Sequence, residues 1–511
     1  MKNMKRYMKS IFRATAAAVV AMLVLASCIK EPAGESDSTL EQRSLDAWIK
    51  LHKPQLAENR QDEGYYVEIL DEGSTDEGAE AVGDSESIWL SFDMDVRTLS
   101  GRLCLTRNAA RAKQEGTFTK YTHYVPMYRY CGKNSYSMLE GTSYALRNKL
   151  KIGYRADGGA PTDEYSARIG SKLRLYLPAS VAYKSNGVSD DAGYGGQYSL
   201  AEDKPVIIDI LVCDTIANPL QREGVDVDYF AEHNGGLRPL PEEDEAEDEN
   251  GMTEEEEDDI YAWRNAADSI PQVYINRRYE PSAEKRSFAF GSEFIKPYSS
   301  YEPYDDMDAL DLKINAALIE RFGDPAEHVA GDTIGLDKET KIWYIARLLD
   351  GFIVDTNIDE VKEIIYGEVQ SKSSAMSYKA SENQSSAILA FYYGIPHLLF
   401  GRWGAILTTS TNAYGATGVS GGSSTTTSSS SYYDYLNYYN YLNYYNNYYG
   451  GYYGGYYGSY YNNYYNGYYG NYYYNGYYDT STDTSSTTTY SSEILPYTPM
   501  LFQIYIEAKD E

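Results

Sequence analysis

The chain has 511 residues, with 45 Lys and Arg against 75 Asp and Glu, which gives a net charge of −30. This length predicts two or three domains, and the acidic balance excludes nucleic acid as a partner because binding the phosphate backbone needs basic patches. Four cysteines exclude a disulfide scaffold. The 56 tyrosines stand against 12 Phe and 5 Trp, an imbalance too large for an ordinary globular core.

Residues 1–27 have the pattern of a secretory signal peptide. Basic residues precede a largely apolar run at 14–25, which is shorter than the roughly 20 residues that cross a bilayer. The run ends in Leu25-Ala26-Ser27-Cys28, which resembles the lipobox of bacterial lipoproteins, and the acidic residues that follow resemble export tags of Bacteroidetes-type surface lipoproteins. The resemblance implies a lipid on Cys28 and a protein anchored in the cell envelope, at the outer membrane. The alternative is a plain signal peptide with an incidental Cys28.

A first domain is predicted over residues 44–218, after a tether at 28–43. It begins with a short amphipathic segment that carries Leu45, Trp48, Ile49 and Leu51. Runs rich in β-branched and aromatic residues predict strands at 65–70, 88–94, 173–177 and 206–212, and residues 138–150 fit a helix better. Cys104, Cys131 and Cys213 are expected to be small buried residues, with a disulfide between one pair left open.

An acidic linker is predicted over residues 219–278. Within residues 242–259, 13 of 18 side chains are Asp or Glu, and a charge block of this density is typical of a solvated segment. The Asp, Asn and Gly there lack the alternating ligand spacing of a calcium loop. The five histidines are scattered without metal-ligand spacing, so no metal and no cofactor is expected.

A second domain is predicted over residues 279–511. Leu310, Ile314, Leu318 and Phe322 recur every four residues, which predicts an amphipathic helix. Further strands are predicted at 342–349, 405–409 and 500–506.

Residues 419–492 form a low-complexity insertion in the second domain. Residues 432–478 alone hold 25 of the 56 tyrosines, mostly as pairs separated by Asn or Gly. One hypothesis is a loop that is merely tolerated. The other is a Tyr-rich flap that contacts unfolded polypeptide or glycan, and such segments also self-associate through β-type contacts.

The two halves of the chain share an order of features, which predicts one fold used twice. Each half has a hairpin with a glycine, Gly101 or Gly351, followed by a helical segment. Each then has a strand that leads to an Ala-Tyr pair, ending at Tyr183 or Tyr414, and a closing strand.

These motifs resemble the FKBP-type peptidyl-prolyl isomerases. Residues 342–357, IWYIARLLDGFIVDTN, fit the hairpin signature V-x-Y-x-x-x-L-x-D-G-x-x-F-D-S without a gap. Residues 401–418 fit the strand and loop that end in A-Y-G-x-x-G, and residues 494–502, ILPYTPMLF, resemble the closing strand. Residues 170–183 are similar to the corresponding part of the first half. The resemblance implies an α+β fold with two FKBP-like domains, each an antiparallel β-sheet wrapped around a short α-helix.

The resemblance also implies a proline pocket in the second domain and a proline-containing polypeptide as substrate. Its aromatic walls would be Tyr344, Tyr378, Phe391 and Phe502, with Ile494 on the closing segment. Ile388 would give its backbone N–H, and Tyr414 its hydroxyl, to substrate carbonyl groups, and Asp355 would orient the pocket. One alternative is that these aromatic residues only form the core of a half-barrel. Another is a non-catalytic surface lipoprotein that binds polypeptide or glycan.

The first domain departs further from the family pattern. The family's Phe-Asp pair falls on Cys104 and Leu105, so the carboxylate is missing, and the floor aromatic falls on Thr142. Phe92 is aligned with the first pocket tyrosine, and Tyr183 is retained. The first domain is therefore predicted to be a non-catalytic copy that serves as a peptide-binding or spacer module.

Overall fold

The structure is a computed structural model, and two antiparallel sheets dominate it. The residues that it describes are 37–76, 79–133, 138–152, 162–184, 200–240, 272–291, 303–325, 332–367, 369, 372–383, 388–419, 422–427 and 486–508. Among them, no helix combines the length and the apolar character needed to cross a membrane. The predicted signal peptide, Cys28, the acidic block and the tyrosine tract lie outside the described residues.

The first unit is a six-stranded sheet with one long helix before it and two short helices within it. In chain order its elements are α1 (Asp37–His52), β1 (Tyr66–Glu72), β2 (Trp89–Thr98), β3 (Leu103–Thr106), α2 (Ala109–Glu115), β4 (Met127–Tyr130), α3 (Glu140–Arg147), β5 (Leu150–Ile152), β6 (Thr162–Tyr165), β7 (Ser171–Leu177) and β8 (Val206–Ile216). The strand order is β1-β7-β8-β2-β3, with β4 beside β2, while β5 and β6 pair separately. Every pairing is antiparallel.

Apolar side chains from one face of this sheet pack on α3. Phe92, Leu175 and Ile210 on the strands join Leu146 of the helix in one buried cluster. The predicted amphipathic segment is α1, whose Leu45 and Ile49 are buried. Leu51 does not belong to the buried face, because it is 75% exposed at the end of the helix.

The second unit is a seven-stranded sheet with helices on both faces. In chain order its elements are α4 (Pro219–His233), β9 (Arg238–Pro239), β10 (Val273–Asn276), α5 (Met307–Phe322), β11 (Thr340–Arg347), β12 (Ile353–Thr356), α6 (Asp359–Tyr366), β13 (Met376–Tyr378), α7 (Ala380–Asn383), α8 (Leu389–Gly394), β14 (Trp403–Thr408), β15 (Gly422–Thr427), β16 (Ser486–Ser491) and β17 (Met500–Ile506). The strand order is β12-β11-β17-β14-β10-β9, with β13 beside β11. All neighbours are antiparallel.

The α+β class with antiparallel sheets is therefore confirmed, and so is the internal repeat. The first sheet runs β1-β7-β8-β2-β3 and the second runs β10-β14-β17-β11-β12. The side strand is β4 on β2 in one sheet and β13 on β11 in the other. In both sheets the strand that is last in sequence, β8 or β17, lies in the interior.

The predicted linker over 219–278 needs correction, because both of its ends are folded parts of the second unit. Strand β10 pairs with β14, and the fully buried carboxylate of Glu223 on α4 accepts hydrogen bonds from the Ser410 backbone N–H at 3.0 Å and hydroxyl at 2.8 Å. The predicted tether is likewise too long, since α1 begins at Asp37. The prediction extended too far because the dense acidic block between α4 and β10 dominates the composition of residues 219–278. The apolar spacing of α4 and of β10 was therefore not recognised.

The Ser/Thr-rich ends of the insertion form a two-stranded ribbon. Strands β15 and β16 pair from Gly422↔Ser491 to Thr427↔Ser486, which agrees with the strand preference of β-branched threonine. The ribbon begins just beyond an isolated antiparallel bridge between Val419 and Ile494, and it is separate from the seven-stranded sheet. The hypotheses about the tyrosine tract concern residues outside the described part and stay predictions.

The three described cysteines, Cys104, Cys131 and Cys213, are buried free thiols. Burial raises the pKa of each thiol, and that of Cys213 to about 12. A thiol that stays protonated is a poor nucleophile. These three cysteines therefore form no disulfide with one another, and their thiols are unreactive.

Candidate active site

Phe391 is the centre of an aromatic cluster on the second sheet. It lies on α8, and its ring centroid is 6.4 Å from Tyr344, 6.3 Å from Tyr378 and 4.8 Å from Phe502. These neighbours come from three adjacent strands, β11, β13 and β17, so the sheet places one ring from each around the helix. All three contacts are T-shaped, the arrangement that the charge distribution of aromatic rings favours.

Tyr344 and Asp355 form a polar pair at the edge of this cluster. The β11–β12 hairpin brings them together, and the Tyr344 hydroxyl donates to Asp355 Oδ2 at 2.6 Å. Asp355 is exposed and Tyr344 is half-buried. Burial of the phenol, and then the adjacent carboxylate, raise the pKa of Tyr344 well above its ordinary value. Tyr344 is therefore a neutral donor, and the carboxylate stays at the mouth of the cluster.

Three further residues surround the same cluster. Tyr414 and Ile388 are half-buried against it, and Ile494 is buried within it. Ile494 is held by two backbone hydrogen bonds with Val419, of 2.8 and 3.0 Å. Ile388 is the N-cap residue of α8, so its backbone N–H has no partner inside the helix. Seven of the eight residues that the sequence singled out in the second domain thus belong to one hydrophobic cluster, and the eighth, Asp355, is bonded to one of them.

The cluster has a closed floor and a polar mouth. Phe391, Phe502 and Tyr378 are at most 4% exposed, so they belong to the core as the half-barrel alternative expected. Asp355, Tyr344, Tyr414 and Ile388 are the accessible members. The arrangement offers an apolar surface bordered by hydroxyl, carboxylate and backbone donor groups, which suits an uncharged ligand with carbonyl groups.

Asn357 is a supporting residue that the sequence reasoning did not single out. Its Oδ1 accepts from the Tyr344 backbone N–H at 2.7 Å, and its Nδ2 donates to the Ile342 carbonyl at 3.0 Å. The Thr356 hydroxyl donates to the Tyr344 carbonyl at 2.6 Å. Both residues directly follow Asp355 in the hairpin motif. Polar side chains at the end of a predicted strand were the sequence signal that could have indicated their supporting role.

The sheet registers show which residues of the first unit occupy the corresponding positions. The pairs Asp95↔Thr106 and Ile345↔Thr356 are equivalent, so Met94 corresponds to Tyr344 and Leu105 to Asp355. The alignment of Phe92 with the pocket tyrosine was therefore wrong by two residues, because Phe92 corresponds to Ile342. The N-caps of α3 and α8 are Leu139 and Ile388, which aligns Thr142 with Phe391, as predicted.

The first unit consequently lacks most of the side chains that line the second site. Counting along the paired strands, Arg129 corresponds to Tyr378 and Ile208 to Phe502. Tyr183 alone keeps its tyrosine among the aromatic positions compared. In the described part of the chain, no group of three or more His, Cys, Asp or Glu residues could hold a metal ion.

No model of a known protein family matches the chain. An FMN-dependent NADH:quinone oxidoreductase from Trichlorobacter lovleyi is 31% identical over 87 residues, which are 16% of this chain and 41% of that protein. The chain thus matches less than half the length of this curated relative, and the activity named is that relative's own.

Several solved structures show a slight similarity. A peptidyl-prolyl cis-trans isomerase from Pseudomonas syringae has 16% identity and a TM-score of 0.22, covering 35% of this chain and 92% of its own. FkpA from Escherichia coli has 13% identity and a TM-score of 0.22, covering 40% and 71%. The three FKBP domains of wheat FKBP73 have 7% identity and a TM-score of 0.19, covering 88% and 95%. Scores this low carry no argument about the activity of this chain.

Proposed function

We propose that the second unit is an FKBP-type peptidyl-prolyl cis-trans isomerase domain of a lipid-anchored envelope protein. The observation that carries the proposal is the aromatic cluster around Phe391 with the Tyr344–Asp355 pair at its mouth. These residues are the ones that the ordered motifs of the family select. The substrate would be a polypeptide with an accessible X-Pro bond.

Isomerisation needs a shaped, dry pocket rather than a nucleophile or a metal. Rotation about an X-Pro bond has a barrier of about 18–20 kcal/mol, because amide resonance is lost when the bond twists. A pocket that removes water from the imide and binds the twisted form better than the planar form lowers this barrier. Each 1.36 kcal/mol of such preference gives about a tenfold faster rate.

Different residues of the candidate site would bind the proline ring, the substrate carbonyl groups and the imide. The proline ring would pack on the accessible side chains of Tyr344 and Ile388, above the buried rings of Phe391 and Phe502. The Tyr414 hydroxyl and the Ile388 N–H would donate to substrate carbonyl groups on either side of the rotating bond. The Tyr344–Asp355 pair would fix the mouth of the pocket and keep a negative charge beside the twisting imide.

We propose that the first unit does not catalyse. Met94, Leu105 and Thr142 at the corresponding positions supply neither the carboxylate nor the floor aromatic. The Thr142 hydroxyl instead donates to the Leu139 carbonyl at 2.6 Å, within the first turn of α3. Without a catalytic role, the first unit is available to support the second unit.

The two units provide a matched test of the proposal. We expect residues 28–511 to accelerate prolyl isomerisation of a proline peptide, and Asp355→Leu and Tyr414→Phe to lower kcat/KM about tenfold each, the loss of roughly one hydrogen bond. Tyr183→Phe makes the same change at the corresponding position of the first unit, so it should leave kcat/KM unchanged. The measurement is the rate of cis-to-trans conversion followed by NMR exchange.

A wild-type protein that does not exceed the uncatalysed rate would refute the enzymatic proposal. Equal rates for wild type, Asp355→Leu and Tyr414→Phe would also refute it. Binding of denatured polypeptide without turnover would instead favour a non-catalytic binding lipoprotein.

Lipid anchoring is part of the proposal and rests on the sequence 25–28, LASC, after an apolar run. A single acyl chain binds membranes only marginally, whereas several acyl groups give stable anchoring. We expect Cys28→Ser to abolish incorporation of labelled fatty acid and to move the protein from the membrane pellet to the supernatant. Unchanged incorporation would contradict the assignment of Cys28.

A further inference from the structure

The first unit contacts the segment of the second unit that runs from Glu493 to Tyr497. Arg107 Nη1 donates to Glu493 Oε2 at 2.7 Å, and Arg129 Nη2 lies 3.8 Å from Glu493 Oε1. The side chains of Arg107 and Glu493 are 1% and 7% exposed. A buried ion pair of this kind is costly to break from one side, because the remaining charge is left buried without its partner.

Arg107 is itself fixed by the loop that precedes β4. Its Nε donates to the Val125 carbonyl at 3.0 Å and its Nη2 to the His123 carbonyl at 2.8 Å. Nε2 of His123 in turn lies 2.6 Å from Oδ2 of Asp350, in the β11–β12 hairpin of the second unit. The planar guanidinium thus links two carbonyl groups of the first unit to one carboxylate of the second, a geometry that lysine cannot reproduce.

The position of Arg107 in the repeat adds a second observation. It follows Thr106 as Asn357 follows Thr356, so the two residues correspond. In the second unit Asn357 holds the backbone of Tyr344, a residue of the candidate site. In the first unit the corresponding residue reaches out of its own sheet to Glu493.

Glu493 directly precedes Ile494 of the candidate site. The backbone of Ile494 is hydrogen-bonded to the backbone of Val419. This pair lies at the base of the β15–β16 ribbon. Farther along the segment, Tyr497 has a φ of 52°, a left-handed conformation that non-glycine residues adopt at a cost and keep only where the surroundings hold them. Trp89 of the first unit packs edge-on against Tyr497, at 4.7 Å between ring centroids and 86° between planes.

We propose that Arg107 is a positioning residue of the pocket in the second unit, where it fixes Ile494 through Glu493. The first unit then serves as a built-in support that keeps one wall of the pocket in place. The kinetic consequence of this inference rests on the proposed isomerase function, whereas the position of Ile494 can be measured without it.

The test compares three variants of the full chain. Arg107→Gln and Glu493→Gln break the pair from its two ends, and Glu493→Gln leaves the other bonds of Arg107 intact. Arg174→Gln is the matched control, because Arg174 binds Asp209 at 2.6 and 2.8 Å with both partners on the first sheet. The readouts are kcat/KM for a proline peptide and the ¹³C-methyl NMR signal of Ile494.

We expect both pair variants to shift the Ile494 methyl signal and to lower kcat/KM between about fivefold and 100-fold, the range in which misplaced site residues act. Arg174→Gln should change neither. An unchanged Ile494 signal in a folded Glu493→Gln protein would overturn the proposal, even if Arg107→Gln fails to fold. A shifted signal in a protein that lacks isomerase activity would support the positioning role and refute only the proposed function.

Discussion

Tyr344 and Tyr378 place the same phenol group in two different environments of the aromatic cluster. The Tyr344 hydroxyl donates to Asp355. The Tyr378 hydroxyl is buried, and among the described residues it has no hydrogen-bond partner. Burial raises the pKa of both phenols. A buried hydroxyl without a partner loses its bonds to water and gains nothing in return, at a cost of about 1–3 kcal/mol.

The two phenols therefore predict opposite effects of the same substitution. Tyr378→Phe removes an unpartnered group, so the free energy of unfolding should stay the same or rise by up to about 1 kcal/mol. Tyr344→Phe removes a bonded group and should lower it by about 1 kcal/mol. Urea denaturation of both variants beside the wild type measures the difference, and a clear loss of stability in Tyr378→Phe would show that its hydroxyl has a partner.

At the scale of single elements, a buried carboxylate of helix α4 binds the turn at the end of β14. Glu223 accepts two hydrogen bonds from Ser410, at the turn that follows β14. This turn leads directly to Tyr414, so α4 supports the strand end that carries part of the candidate site. A fragment that starts at residue 279 would lose α4 together with β10 and would expose the edge of β14.

Glu223→Gln is a conservative test of this attachment. The substitution keeps the size of the side chain but removes the charge that strengthens both bonds, so we expect the free energy of unfolding to fall by about 1–3 kcal/mol. Glu232→Gln on the exposed side of the same helix is the control, and it should remain within about 0.5 kcal/mol of the wild type. Equal urea midpoints for the two variants would contradict a role of Glu223 in attachment.

Local sequence signals predicted the strands and the β11–β12 hairpin better than they predicted the connections between elements. Strand β17 has the bounds predicted for it, and the hairpin motif carries Tyr344 and Asp355 without a gap, because both depend on short-range spacing. Helix α4 was missed since the acidic block next to it dominates the composition. The Arg107–Glu493 pair joins residues 386 positions apart, and no periodicity encodes such a partner.

At the scale of the whole molecule, the many buried tyrosines make stability depend on alkaline pH. Burial raises the pKa of Tyr66 and of Tyr304 to about 12, and that of Tyr344 well above its ordinary value. Above about pH 10 the unfolded chain releases these protons while the folded chain keeps them. The folded state then binds more protons, so its stability falls as the pH rises.

We therefore expect the urea midpoint to begin to fall above about pH 8, where the thiols of Cys104, Cys131 and Cys213 ionise in the unfolded chain but not in the folded chain, and to fall steeply from about pH 10 to 12. Absorbance of ionised tyrosine at high pH should include a fraction that appears only when the protein unfolds. Tyr66→Phe should weaken the dependence, and a midpoint that does not change up to about pH 12 would contradict the burial of these phenols.

The interior position of β17 has a consequence for the order in which the molecule is made. Strand β17 lies between β11 and β14, and it is the last strand of its sheet in sequence. While the chain is being synthesised, β11 and β14 thus have no partner between them until residues 500–506 emerge. The candidate site of the second unit cannot form before that moment, whereas the first sheet is complete once β8 has emerged. In a nascent chain the first unit would therefore fold before the second. Its Arg107 would already be in place when Glu493 is synthesised.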